Sequence, residues 1–295
     1  MFRLALLAFL GLTTTMSAAD RPLLTWEDLT SRPRPRPDAT VSYGADFLQK
    51  VDVWLPEGPG PFPTVLMVHG GCWTTGIADR SLMNWVADDL RKHGIAVWNI
   101  DYRGVDRAGG GYPGTFADAA AAADALTHHA AECHLDIGRI VAVGHSAGGH
   151  LALWLAGRPK LLKDSPLHAA HPLPIAHVIS LGGLPDLEAA AASPDNGCGT
   201  EVVAQLVGTP GTRPDVYADT SVPRLLPLGV PQDLVNGRED RIIPFRLATS
   251  YLAQAEAAGD PVKLHVVPDT GHVELVTPDS AAWAEARGLI LAALR

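Results

Sequence analysis

Short apolar runs rich in β-branched residues alternate with helical stretches of ten or more residues from about residue 48 onward, and few architectures accommodate that rhythm. A strand that is apolar on both faces must be covered on both sides, and each intervening stretch is long enough for a helical crossover. The pattern predicts strands over 48–55, 64–68, 95–100, 139–143, 177–181, 233–235 and 263–267, and helices over 81–93, 115–133, 147–156, 245–258 and 279–294. Gly94 and Gly259 fall where two of these helices must stop. The expected fold class is α/β, a doubly wound, mostly parallel sheet flanked by helices.

Two segments break the rhythm. Residues 20–40 contain Arg32-Pro-Arg-Pro-Arg-Pro37, whose prolines remove backbone donors, and are expected to form an extended, solvated arm ahead of a single domain over 41–295. Residues from about 183 to 230 mix Pro, Gly and Asn with a short helical fragment at 201–207, which reads as a cap or lid insertion. At the start of the chain, Arg3, the apolar run Leu4 to Leu12 and the small residues Ser17-Ala-Ala19 fit a signal peptide over 1–19 cut near Ala19. The run is too short to anchor the chain in a bilayer, so a secreted or periplasmic protein without a stable membrane anchor is expected. Acidic residues exceed basic ones by 32 to 23, and no basic stripe forms, so nucleic acid is not an expected partner.

The chemistry concentrates where predicted strands end. Val141-Ala-Val-Gly144-His145-Ser146-Ala147-Gly148-Gly149 runs from a strand through G-x-S-x-G directly into a helix. Such a turn forces the serine into a strained backbone conformation that only small neighbours permit, and it exposes the hydroxyl beside a helix N-terminus. Ser146 is thus the candidate nucleophile. At the end of an earlier strand, Val68-His69-Gly70-Gly71-Cys72-Trp73 offers backbone amides that can closely approach a developing oxyanion. The amides of Gly71, Cys72 and Ala147 are the candidate oxyanion donors.

A base and an acid that orients it should follow at later strand ends. Of the 12 histidines, His272 stands directly after a loop glycine that itself follows a strand, and is the candidate base. Asp240, four residues before Pro244, is the preferred acid; Glu239, Asp269 and Asp186 occupy comparable loop positions. His145 reads as packed beneath the elbow, and Asp101-Tyr102-Arg103 as a polar cluster supporting the loops. Trp73, Tyr112 and His145 are candidate pocket residues, with burial the equal alternative for the two aromatics. The three cysteines follow no metal-ligand spacing, so no metal is expected. Cys72 and Cys198 belong to loops leaving the same end of the sheet and are expected to pair, leaving Cys133 as a buried thiol.

Together, His69-Gly-Gly-Cys-Trp73, Asp101-Tyr-Arg103, Gly144-His-Ser-Ala-Gly-Gly-His-Leu-Ala152, Asp240 and Gly271-His272 resemble the α/β-hydrolase superfamily from about residue 40 onward. The chain is most similar to the branch with hormone-sensitive-lipase-type carboxylesterases, feruloyl-esterase-like proteins and kynurenine formamidases. It departs from that pattern at Cys72, where a third glycine or an aromatic is common, and at Asn236, where a histidine is. The resemblance implies a serine hydrolase that cleaves a small-molecule carboxylic ester through an acyl-enzyme, and with no metal cluster or nucleotide-binding glycine pattern in the sequence no cofactor is expected. An amide hydrolase of formamidase or peptidase type uses the same groups, and a catalytically silent binding protein is the reading from another class.

Overall fold

The computed structural model describes residues 22–208 and 211–295; the expected signal peptide lies outside them. Eight strands form one sheet in the order β1-β2-β4-β3-β5-β6-β7-β8. They are β1 (Ala39–Ser42), β2 (Lys50–Trp54), β3 (Phe62–Val68), β4 (Ala96–Ile100), β5 (Leu135–His145), β6 (His177–Leu181), β7 (Gln232–Gly237) and β8 (Val262–Val267). β1, β2 and β4 pair antiparallel at one edge, and the remaining pairs are parallel. The expected α/β sheet is the observed one.

Strand alternation divides the interior into two layers. Leu66, Val68, Ala142 and Val178 point into one, which α3 (Gly114–His129), α4 (Ala147–Gly157) and α7 (Arg246–Ala257) cover; Val65, Met67, Val141, Val143 and Ile179 point into the other, under α2 (Asn84–Lys92) and α8 (Ala281–Ala293). All eleven residues of α4 are buried. Gly94 and Gly259 have φ of +80° and +89°, the left-handed stops their helices need.

Three expectations change. The strand expected over 139–143 extends back to Leu135, because the chain pairs again with Phe62 and Pro63 across a register shift at Pro63/Thr64. The arm over 20–40 is not simply extended: Thr25 and Asp28 form a reciprocal capping box that starts α1 (Trp26–Thr30), and β1 follows as an exposed edge strand. The proline stretch then lies against α2, where Trp85 Nε1 and Asn84 Nδ2 donate to the Pro33 and Pro35 carbonyls. The segment 183–230 packs into the main core through Leu184, Leu187, Val203, Leu206, Val222 and Leu225, with α5 (Leu187–Ala191) and α6 (Thr200–Val207) inside it.

One carboxylate ties the parallel edge together. Asp233 on β7 accepts from His177 Nε2 on β6 at 2.7 Å and from His265 Nε2 on β8 at 2.8 Å. Burial would raise its pKa, but the hydrogen bonds from the two imidazoles outweigh burial and hold the carboxyl below its ordinary value. A depressed folded-state pKa adds stability above the unfolded carboxyl's pKa, and that contribution disappears as pH falls through the folded value. Asp233→Asn should therefore lower the thermal midpoint more at about pH 7 than at about pH 3, which lies below the unfolded carboxyl's pKa, so that part of the contribution has already gone. Melting curves of both proteins at the two pH values check this; an equal difference at both would refute it.

Candidate active site

Ser146 joins β5 to α4 at φ +54° and ψ −121°, a sparsely populated conformation costing about 1–3 kcal/mol for a residue with a Cβ. Its amide donates to the Leu181 carbonyl on β6 at 2.8 Å, which fixes the turn against the sheet. The flanking glycines are sterically required. A Cβ on Gly144 would lie 2.0 Å from the Gly148 carbonyl oxygen, and one on Gly148 2.2 Å from that of Val68.

His272 follows β8 and meets the loop after β7. Its Nδ1 lies 2.6 Å from Asp240 Oδ2, and the two side chains are almost fully buried. Asp240 Oδ1 accepts from the amides of Ile242 and Ile243 at 2.8 and 2.9 Å, so the carboxylate is held at both oxygens. A carboxylate at Nδ1 makes that nitrogen the donor and leaves Nε2 as the free acceptor. The two loops can meet because Gly237 lacks a Cβ, which would lie 2.3 Å from the Thr270 carbonyl oxygen. The other candidate acids are engaged elsewhere. Glu239 accepts from the Thr270 amide, and Asp186 caps α5 and accepts from Gln254, while Asp269 lines a different cleft beside Arg32 and Asp279.

Ser146, Gly71, Cys72, His145 and His272 share a cavity of about 300 Å³, whose apolar lining is Trp26, Ile77, Ala78, Leu82 and Ile242, with Thr30 and Gly197 completing it. No direct hydrogen bond joins Ser146 Oγ to His272 among the described residues; such contacts commonly tighten only when substrate binds. Gly71, Cys72 and Trp73 have φ of +102°, +51° and +51°, three successive left-handed residues. Among the described residues no acceptor engages the amides of Gly71, Cys72 or Ala147. A larger cleft of about 640 Å³ beside Arg32, Asp269 and Asp279 contains neither the serine nor these amides.

Two expected pocket aromatics lie elsewhere. Trp73 is fully buried beneath its loop, where the left-handed turn directs Nε1 to His150 Nδ1 at 3.3 Å. His150 donates in turn to the Thr220 carbonyl, and burial pushes its pKa down to about 4. Tyr112 donates to Asp219 at 2.8 Å under the Arg213 guanidinium, in a separate groove, where burial, then the bond to Asp219, raises its pKa to about 12. Both aromatics serve packing. His145 does line the cavity: its ring lies 4.4 Å from that of His272, and its Nε2 donates to the His272 carbonyl at 3.2 Å. Burial, then the neighbouring His272, holds its pKa well below the ordinary value.

Asp101 supports the site from behind, accepting from His69 Nε2 at 3.0 Å and Arg80 at 2.9 Å, while Tyr102 stacks on the His69 ring and donates to its carbonyl. Trp26, Thr30, Ile77 and Ile242 are cavity residues that the sequence reading missed. Thr25-x-x-Asp28 ahead of an apolar residue was the available signal for the first two.

The BD-FAE family model matches residues 51–254. A probable isoprenylcysteine alpha-carbonyl methylesterase of Arabidopsis thaliana is 32% identical over 114 residues, 38% of this chain and 23% of that protein. An acylamino-acid-releasing enzyme of Sus scrofa is 27% identical over 268 residues, 85% of this chain and 34% of that protein. The chain thus spans about a quarter to a third of the length of these curated relatives. A carbohydrate esterase from gut microbiota, in truncated form, superposes with a TM-score of 0.72 at 20% identity, covering 89% of this chain and 98% of that one.

Cys72 and Cys198 are bonded, with Cα atoms 5.2 Å apart, so the loop carrying two candidate oxyanion donors is tied to the 183–230 segment. Cys133 is a half-buried thiol rather than a buried one. The bridge spans 126 residues of sequence, which on the chain-entropy model stabilises the fold by about 5 kcal/mol. Alkylation of the unfolded, unreduced protein should modify one cysteine, and Cys198→Ser should lower the unfolding free energy by several kcal/mol; three modified cysteines would rule the bridge out.

Proposed function

Because the chain belongs to the BD-FAE family and carries the α/β-hydrolase fold, we propose that it is a carboxylesterase-like serine hydrolase acting on small-molecule esters. The observation that carries this reading is the convergence of Ser146 with an imidazole whose Nδ1 is held by Asp240 and whose Nε2 is free. In the proposed reaction His272 Nε2 takes the Ser146 proton as Oγ attacks the ester carbonyl carbon. The carbonyl electron pair moves onto oxygen, where the amides of Gly71, Cys72 and Ala147 receive it. The intermediate collapses as the C–O bond to the alcohol breaks, and His272 delivers the proton to the departing oxygen. Water, deprotonated by His272, then attacks the acyl-serine, and the carboxylic acid leaves with Ser146 regenerated. Asp240 stays ionised and stabilises the imidazolium.

His145 fits this scheme only as a neutral ring, since a second cation 4.4 Å from His272 would oppose imidazolium formation. Amide cleavage by the same groups is the alternative, and nothing in the cavity favours it. Export is part of the proposal, motivated by the disulfide, which suits an oxidising compartment.

A fluorophosphonate probe should label Ser146, and Ser146→Ala should abolish both labelling and turnover of nitrophenyl esters. Asp240→Asn should lower kcat/KM by about 10³–10⁴-fold, because the imidazole would lose its orienting acceptor. Glu239→Gln should change kcat/KM only a few-fold, its carboxylate being bound to Thr270. Labelling that survives Ser146→Ala, or the opposite ranking of the two acids, would sink the assignment.

A further inference from the structure

The proposed reaction uses the floor of the cavity and leaves one wall unexplained. That wall is helix α1. The Trp26 indole meets the His145 and His272 rings edge-on, with centroids 6.0 and 6.2 Å away, and Thr30 lines the same space. The other apolar lining comes from Ile77, Ala78 and Leu82 after the oxyanion loop and from Ile242. No Asp, Glu, Lys or Arg lines the cavity among the described residues.

A helix of five residues does not hold such a wall by itself. Its capping box fixes the start, and Leu29 is fully buried in the layer beneath α2. The decisive anchor is Glu274. One carboxylate oxygen accepts from the Leu24 amide at 2.5 Å, the other from the Gly271 amide at 3.0 Å. Gly271 immediately precedes His272, so one buried side chain spans from the arm to the loop carrying the imidazole. Only a carboxylate accepts at both ends; a glutamine would turn a donor toward one of the two amides.

We propose that Trp26 is a specificity-determining residue, that Glu274 is the positioning residue holding it against His272, and that the substrate group lying on the indole is uncharged. This rests on Ser146 and His272 being the reacting pair. A charged group entering the cavity would surrender its hydration shell and find no counter-ion. A cation would have the indole face alone, without a carboxylate beside it.

Competitive inhibition by an alkylboronic acid and its ω-carboxyl and ω-ammonium counterparts of equal chain length tests the proposal. The uncharged probe should bind about tenfold or more tightly than either charged one. Trp26→Arg should narrow its advantage over the carboxylate probe about tenfold, and Trp26→Gln should weaken the uncharged probe if the arginine variant fails to fold. Glu274→Gln should reduce the same preference and add little in the Trp26→Gln background, since residues acting through one wall are not additive. Charged probes binding as well as the uncharged one would overturn the proposal. So would unchanged ratios in Trp26 variants that keep their thermal midpoints and their fluorophosphonate labelling. Failure of the unaltered protein to label at Ser146 would instead remove the reaction on which the inference rests.

Discussion

The left-handed backbone at Ser146 is the constraint around which the rest is built. A residue with a side chain at φ +54° stays there only if its surroundings leave it nowhere else to go. Here β5 and α4 supply that confinement from both sides. Gly144 and Gly148 touch carbonyl groups too closely for any Cβ, and the serine amide is pinned to β6. The burial of all of α4 explains why the helix cannot shift to relieve the turn. Strain is thereby balanced by core packing, and the hydroxyl faces the cavity rather than the interior.

The imidazole side of the site depends on a different economy of space. Two loops, after β7 and β8, must come within hydrogen-bond reach, and Gly237 removes the one side chain that would hold them apart. Once they meet, the carboxylates near the tip have defined partners: Asp240 takes His272 and two amides, Glu239 takes Thr270, and Glu274 takes Gly271. A buried carboxylate held at both oxygens, as Asp240 and Glu274 are, is rigid, whereas an unpaired one would be costly to bury. His145 completes the shell as a neutral donor to the His272 backbone.

The loop after β3 is the least regular part of the site and the most heavily tied down. Three successive left-handed residues are held by the Cys72–Cys198 bond, by the burial of Trp73 and by the Tyr102 hydroxyl on the His69 carbonyl. This gives the 183–230 segment a mechanical connection to the candidate oxyanion donors, although among the described residues it contributes only Gly197 to the cavity lining. The N-terminal arm acts comparably from the opposite direction, through Glu274.

Most of the parallel sheet and the place of Ser146 and His272 were legible in the sequence, because buried strands, crossover helices and a glycine-flanked elbow all impose local patterns. The Cys72–Cys198 pairing was legible too, since both loops leave one end of the sheet. Asp240 was preferred to Glu239 on its place in the loop, but neighbouring carboxylates look alike in sequence, and what distinguishes them physically is which one the turn directs at an imidazole 32 residues away. Trp73 and Tyr112 show the same limit in reverse, since an aromatic beside a motif can equally face the cavity or the core. The wall made by Trp26 was hidden for a further reason. A short arm rich in arginine and proline carries no periodicity of its own, and its position is decided by contacts with Glu274 and α2, some 50 to 250 residues away in sequence. Local patterning thus determined the elements and the nucleophile, while partner choice among equivalent side chains belonged to the tertiary structure, where distance in space, not in sequence, sets each interaction.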